Sequence, residues 1–151
     1  MAANNTAPNL NEMCSMRICV DRYENEVLIG RLCNSYYEKP IPFSSTISLL
    51  KIMDSIFDHF EYPQRSIETR SFSEEAKKDP LSNTPVLSSP VQMDEGGQLN
   101  TFYVKVIFRK HATWQGSISS ISDKSEYNFR SVLEMLLLID SSLVKKNVSE
   151  N

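Results

Sequence analysis

Apolar residues fall on even positions in two separate stretches of the chain. Met16, Ile18, Val20, Leu28 and Leu32 make the first set; Phe102, Val104, Val106, Phe108, Trp114 and Ile118 make the second. Alternation rich in β-branched and aromatic side chains marks a strand with one buried face. It predicts strands over 16–20 and 27–33 around a turn near Tyr23-Glu24-Asn25, and strands over 102–109 and 113–121 around Lys110-His111-Ala112. After each pair the period becomes helical. Leu49, Leu50, Met53, Ile56, Phe57 and Phe60 form an i, i+3/i+4 stripe, predicting a helix from about Ser44 to Phe60. A second helix opens at Ser131 and Glu134, an S-x-x-E capping box, and runs to about Val144, before Lys145 and Lys146. Its Met135–Ile139 run is apolar nearly all round, with Leu137 where the first helix has Lys51. That predicts burial on more than one side, by the middle segment or by another subunit.

The two stretches match one another. Residues 16–57 fall on 102–143 without a gap at an offset of 86, with Gly30 on Gly116, Phe43 on Phe129, Ser45 on Ser131, Leu50 on Leu136 and Asp54 on Asp140. The offset is even, so both copies turn the same face inward. The expected fold is therefore α+β: a tandem β-β-α repeat about a pseudo-twofold, with a four-stranded, mainly antiparallel sheet and two helices on one face. One such unit is too small to close a core, so the halves must pack together. Gly30 and Gly116 on the inward face imply close helix packing or a bulge.

The expected boundaries are a disordered tail over 1–15, repeats over 16–61 and 101–146, a linker over 62–100 and a tail over 147–151. The linker holds four of the seven prolines and the Gly96-Gly97 pair. It reads as mobile from about Asp79 to Gln98, with a possible helical turn in 73–78. Nearer the first repeat, Tyr62, Ile67 and Phe72 should pack on the body.

Composition removes several function classes. At 151 residues, 40% apolar and 23% charged, the chain reads as an ordinary globular protein. No apolar run approaches the roughly 18 residues of a membrane span. Three cysteines (Cys14, Cys19, Cys33) are too few and odd for a disulfide framework, which points to reduced thiols and a cytoplasmic location. Their spacing, with two histidines at His59 and His111, matches no zinc pattern. Four glycines without a phosphate-loop spacing exclude the common nucleotide signatures. No cofactor, no metal and no catalytic residue is expected, and an enzyme is disfavoured. Asp54 and Asp140, as repeat mates each followed by Ser, could serve acid–base work or a cation, but a structural hydrogen bond explains them more simply.

The outward sheet face is the better lead. Arg17, Arg31, Tyr103, Lys105, Ile107, Arg109 and Gln115 fall on its odd positions, a candidate binding surface mixing basic and apolar groups. Cys33 lies there too, as a small, partly buried apolar group. Leu137 offers a second surface on the second helix. The expected function is non-enzymatic: a binding or regulatory module acting through protein–protein contact or self-association. Nucleic-acid binding through Arg17, Arg31, Lys105 and Arg109 is the alternative, although Tyr103 alone is thin for base stacking.

Residues Ala112–Gly116 (A-T-W-Q-G) followed by Phe129-Arg130-Ser131 resemble an uncharacterised family of small proteins of clostridial and related Firmicutes bacteria. That family carries no known activity. The resemblance implies that Trp114, Gln115 and Arg130 belong to a pattern, and that a lone second repeat can exist as a protein. Lone copies would have to dimerise, making this chain a fused dimer.

Overall fold

The computed structural model of the protein describes residues 9–65, 70–92, 94–109 and 113–149. Six antiparallel strands form one sheet: β1 (Ser15–Glu24), β2 (Val27–Cys33), β3 (Ile41–Phe43), β4 (Asn100–Phe108), β5 (Gln115–Ser120) and β6 (Ser125–Phe129). Their order is β3-β2-β1-β4-β5-β6, so β1 and β4 meet at the centre. The helices are α1 (Leu10–Met13), α2 (Thr46–Phe60) and α3 (Val132–Ser149). The α+β class and the single antiparallel sheet match the expectation; the strand count does not. The extra edge strands β3 and β6 carry Pro42 and the polar run Ser125–Asn128, so neither shows an apolar alternation. They form because Phe43 and Phe129 bury beside Gly30 and Gly116 on the neighbouring strands.

The inward face follows the even positions. Met16, Ile18, Val20, Leu28, Leu32, Phe102, Val104, Val106, Trp114 and Ile118 are all buried, beneath Leu49, Met53, Ile56 and Phe57 of α2 and Met135, Ile139 and Leu143 of α3. Phe108 departs from this and is about half exposed. The cause is a bulge between Val106 and Phe108, matched in β1 by one between Val20 and Arg22. One extra residue inverts the parity of everything after it. Each bulge sits opposite a glycine, Gly30 or Gly116. A Cβ at either would lie 1.9 or 1.8 Å from a carbonyl oxygen of the neighbouring strand (Cys19 or Lys105), so strand approach, not helix packing, requires these glycines.

Both long helices begin alike. Ser45 Oγ accepts from Ser48 N (3.0 Å), and Ser131 Oγ from Glu134 N (3.1 Å). The Glu134 carboxylate closes the box one residue early, on Arg130 N. Of the two covers expected for α3, the middle segment is not one: Leu133, Leu137 and Val144 are exposed in this chain, and no described part of that segment covers them.

A helical turn stands where a disordered tail was expected. Asn9 caps α1, Met13 and Cys14 are buried, and Asn34 Nδ2 donates to the Glu12, Met13 and Ser15 carbonyls. The middle segment lies along the body. Leu87 and Val91 donate their N–H to the carbonyls of Tyr36 and Ser35, and Gln98 N reaches the Asp21 carboxylate. A 3-10 turn occupies Glu75–Lys77. Phe72 does not pack as expected; it is fully exposed. Ile67 and the Lys110-His111-Ala112 turn lie outside the described residues.

Candidate functional site

The outward sheet face is neither bare nor flat. The chain from Glu95 to Gln98 crosses it at β1–β2. Arg17 donates Nη1–H to the Glu95 carbonyl (2.9 Å), and Arg31 bonds the Glu95 carboxylate, the Gly96 carbonyl and Asp21 (3.1 Å). The Arg31 guanidinium holds the Asp21 carboxyl below the usual carboxylate range, against a desolvation that pushes it up. Cys19 and Cys33, diagonal neighbours on β1 and β2, are buried under this cover as free thiols. Cys33 is pushed up by its hydrogen bond with Cys19 and by burial.

Beyond the crossing segment the face opens into a groove of about 720 Å³. Its floor is two rows across the sheet: Arg17, Tyr103 and Ser119, then Lys105 and Ser117. The Arg17 guanidinium lies 5.2 Å from the Tyr103 ring centroid, a cation–π contact that lays the ring along the floor. Glu12 and Asn34 close one end, Val91, Gln92 and Asp94 form one wall, and Glu126 of β6 forms the opposite rim. Three carboxylates (Glu12, Asp94, Glu126) thus face two cations. Volume, an aromatic floor and scattered polar groups are what binding clefts of this size share.

The seven candidate surface residues therefore separate. Arg17, Tyr103 and Lys105 come together in the groove. Arg31 is engaged beneath the crossing segment. Ile107 and Gln115 are exposed near the β4 bulge, outside the groove lining. Arg109 is corrected outright, since the bulge turns it to the helix side, where it is 3% exposed. There it pairs with Asp54 and Asp58 (2.9 Å each), donates Nε–H to the Pro63 carbonyl (2.6 Å) and lies over the Phe57 ring. Glu12, Ser119, Asp94 and Glu126 were missed because they lie in the presumed tail, at a strand end, in the presumed linker and on an unrecognised strand. Only Ser119, on the odd positions of β5, had a periodic signal.

Asp54 and Asp140 have separate partners. Asp54 takes Arg109 and Arg65, whereas Asp140 accepts from the Tyr23 hydroxyl. Burial, and then that bond, raise the Tyr23 pKa. Tyr23 stands 86 residues before Arg109, as Asp54 does before Asp140, so the two contacts recur at one offset: α2 holds the residue just past β4, and α3 holds a residue of β1. Both carboxylates thus make the kind of structural contact that would explain them. A second polar chain joins the middle segment to α2: Tyr37 Oη, His59 Nδ1 (2.8 Å), His59 Nε2, Asp79 Oδ2 (2.5 Å), with Ser55 Oγ also donating to Asp79. The carboxylate stands between Ser and His, so His59 does not contact Ser55 as a general base would.

Among the described residues no group of three or more His, Cys, Asp or Glu could hold a metal, and no helix is long and apolar enough to cross a membrane. Comparison with protein-family models, curated proteins and solved structures finds no match.

Proposed function

We propose that the protein is a non-enzymatic binding module whose outer-face groove takes an extended polypeptide segment. The observation carrying this is the groove itself, a sheet floor with Tyr103 at its centre and charges of both signs around it. An extended chain laid there meets the aromatic floor with one set of side chains and the rim carboxylates with its basic residues. The nucleic-acid alternative draws less support. Arg31 and Arg109 are engaged in ion pairs, and acidic side chains outnumber basic ones around the groove.

We read the frame as an internal duplication, a fused dimer of two β-β-β-α halves. Arg17 pairs with Tyr103, the residue 86 positions on, while Met16 pairs with Val104 and Ile18 with Phe102. The central ladder therefore inverts onto itself about the Arg17–Tyr103 pair. The bulges, the Gly30–Phe43 and Gly116–Phe129 pairings and the exchanged Asp contacts all repeat at the same offset. These repeated features support reading the chain as a fused dimer. The groove straddles the axis that such a dimer would have.

A peptide-display selection against the full chain tests the groove. Selected peptides should lose about tenfold or more in affinity on Tyr103→Ala or Lys105→Glu, the loss of one central anchor, and keep it on Leu137→Glu. The opposite pattern would move the site to α3. Oligonucleotide binding that falls steeply with salt and is lost in Lys105→Glu would replace the peptide with a nucleic acid.

A further inference from the structure

The halves differ most where a loop meets the open end of the strand–helix layer. In the first half, the loop from Asn34 to Pro40 turns Tyr37 inward. Its ring is fully buried, edge-on to Phe60 at 6.1 Å, and its hydroxyl meets His59 Nδ1 at 2.8 Å. In the second half the residues 86 positions on are Asp123 and Lys145. The connection there is a short turn over 121–124, with Lys124 at a φ of 54°, and it sends no ring inward. What remains is a cavity of about 410 Å³ between α3 and β5–β6, with Phe102, Ile118, Tyr127 and Leu138 as its apolar lining.

The polar lining is arranged about Asp123. Its Oδ2 accepts from Ser120 Oγ (2.8 Å) and from Ser142 Oγ. Its Oδ1 has Lys145 Nζ at 3.7 Å, beyond hydrogen-bond length, and no closer partner among the described residues. The Ser142 bond, followed by that of Ser120, holds this carboxyl below the usual range despite partial burial. The Asp123 carboxylate lines the cavity with Lys145 beside it. The ammonium already balances the carboxylate, so the vacancy suits a neutral donor better than a second cation.

We propose that this cavity binds a phenol-type aromatic ring, seated among Phe102, Ile118 and Leu138 with its hydroxyl donating to Asp123 Oδ1. The second half would thus take from outside what Tyr37 supplies within the first. The site lies on the helix side of the sheet and is independent of the groove; it rests on the equivalence of the two halves.

The probe is p-cresol, the tyrosine side chain as a free molecule, titrated into 15N-labelled full-length protein. Saturable shifts should centre on Phe102, Ile118, Ser120 and Tyr127, with a Kd in about the millimolar range expected for so small a ligand. Toluene should bind at least about fivefold more weakly, for want of the hydroxyl. Asp123→Asn should weaken p-cresol similarly, and Leu138→Phe, judged folded by its own spectrum, should fill the space and abolish the shifts. N-acetyl-tyrosinamide in parallel separates a free phenol from a tyrosine presented by a polypeptide. Equal binding of toluene and p-cresol overturns the proposal. So do shifts centred on the groove, no saturation at about 10 mM, or shifts on simple dilution, which would mean a second copy fills the cavity.

Discussion

Asp54 of α2 and Asp140 of α3, 86 residues apart, each tie a long helix to the end of a central strand, with different chemistry. Asp140 accepts one hydrogen bond from the Tyr23 hydroxyl. Asp54 joins Asp58, Arg65 and a nearly fully buried Arg109 in an ion cluster. Both latches join a long helix to the end of a central strand; the strength of each is local. The same division recurs at the loop ends, where Tyr37 plugs one half and Asp123 leaves the other open. Position carries the architecture, and the residue at that position carries what is individual to each half.

The comparison breaks first at the glycines. Gly30→Val and Gly116→Val should each cost at least about 3 kcal/mol or prevent folding, because the new side chain meets the backbone of the next strand. Equal losses in chemical denaturation are expected. A mild effect at one site alone would mean that the two bulges are not equivalent.

The latches come next. Arg109→Leu should cost about 2–3 kcal/mol, by leaving Asp54 and Asp58 to share Arg65 alone and the Pro63 carbonyl without its donor. The figure sits at the low end because both carboxylates are a third or more exposed. Tyr23→Phe removes one hydrogen bond and should cost about 1 kcal/mol. A larger loss for Tyr23→Phe would reverse the ranking of ionic over neutral latch.

The smallest effects are acid-linked. Asp21, Asp79 and Asp123 all titrate below the ordinary carboxylate value of about 4. For Asp79, burial pushes the pKa up, but the bonds from Ser55, His59 and Leu81 N outweigh it. A depressed folded pKa contributes stability that is present above the unfolded value and lost as pH falls through the folded one. Thermal midpoints should therefore drop below about pH 4, and Asp79→Asn and Asp123→Asn should each flatten that drop. An unchanged slope in both variants would mean that these carboxylates do not anchor the middle segment and the β5–β6 turn.

Much of the frame was legible because period and parity are direct images of burial. Met16 to Val20 and Phe102 to Val106 had one face to hide, and the sequence shows it. The edge strands were not legible, since three residues around Pro42 and a polar pentapeptide carry no period. Arg109 was misplaced for a sharper reason: parity persists only until a bulge, and a bulge is set by pairing with a distant strand. Half of the groove was likewise hidden. Asp94 and Glu12 reach it by tertiary placement of segments that look like linker and tail.

The account stands on two halves closing one core, and the sole tryptophan reports on that closure directly. Trp114, just before β5, packs edge-on against Phe57 of α2, with centroids 5.6 Å apart, so its emission reads the junction between halves. Equilibrium denaturation of the full chain should show Trp114 fluorescence and far-ultraviolet circular dichroism changing together in a single transition. Two separated transitions, with the tryptophan signal lost while half of the secondary structure persists, would contradict the shared core.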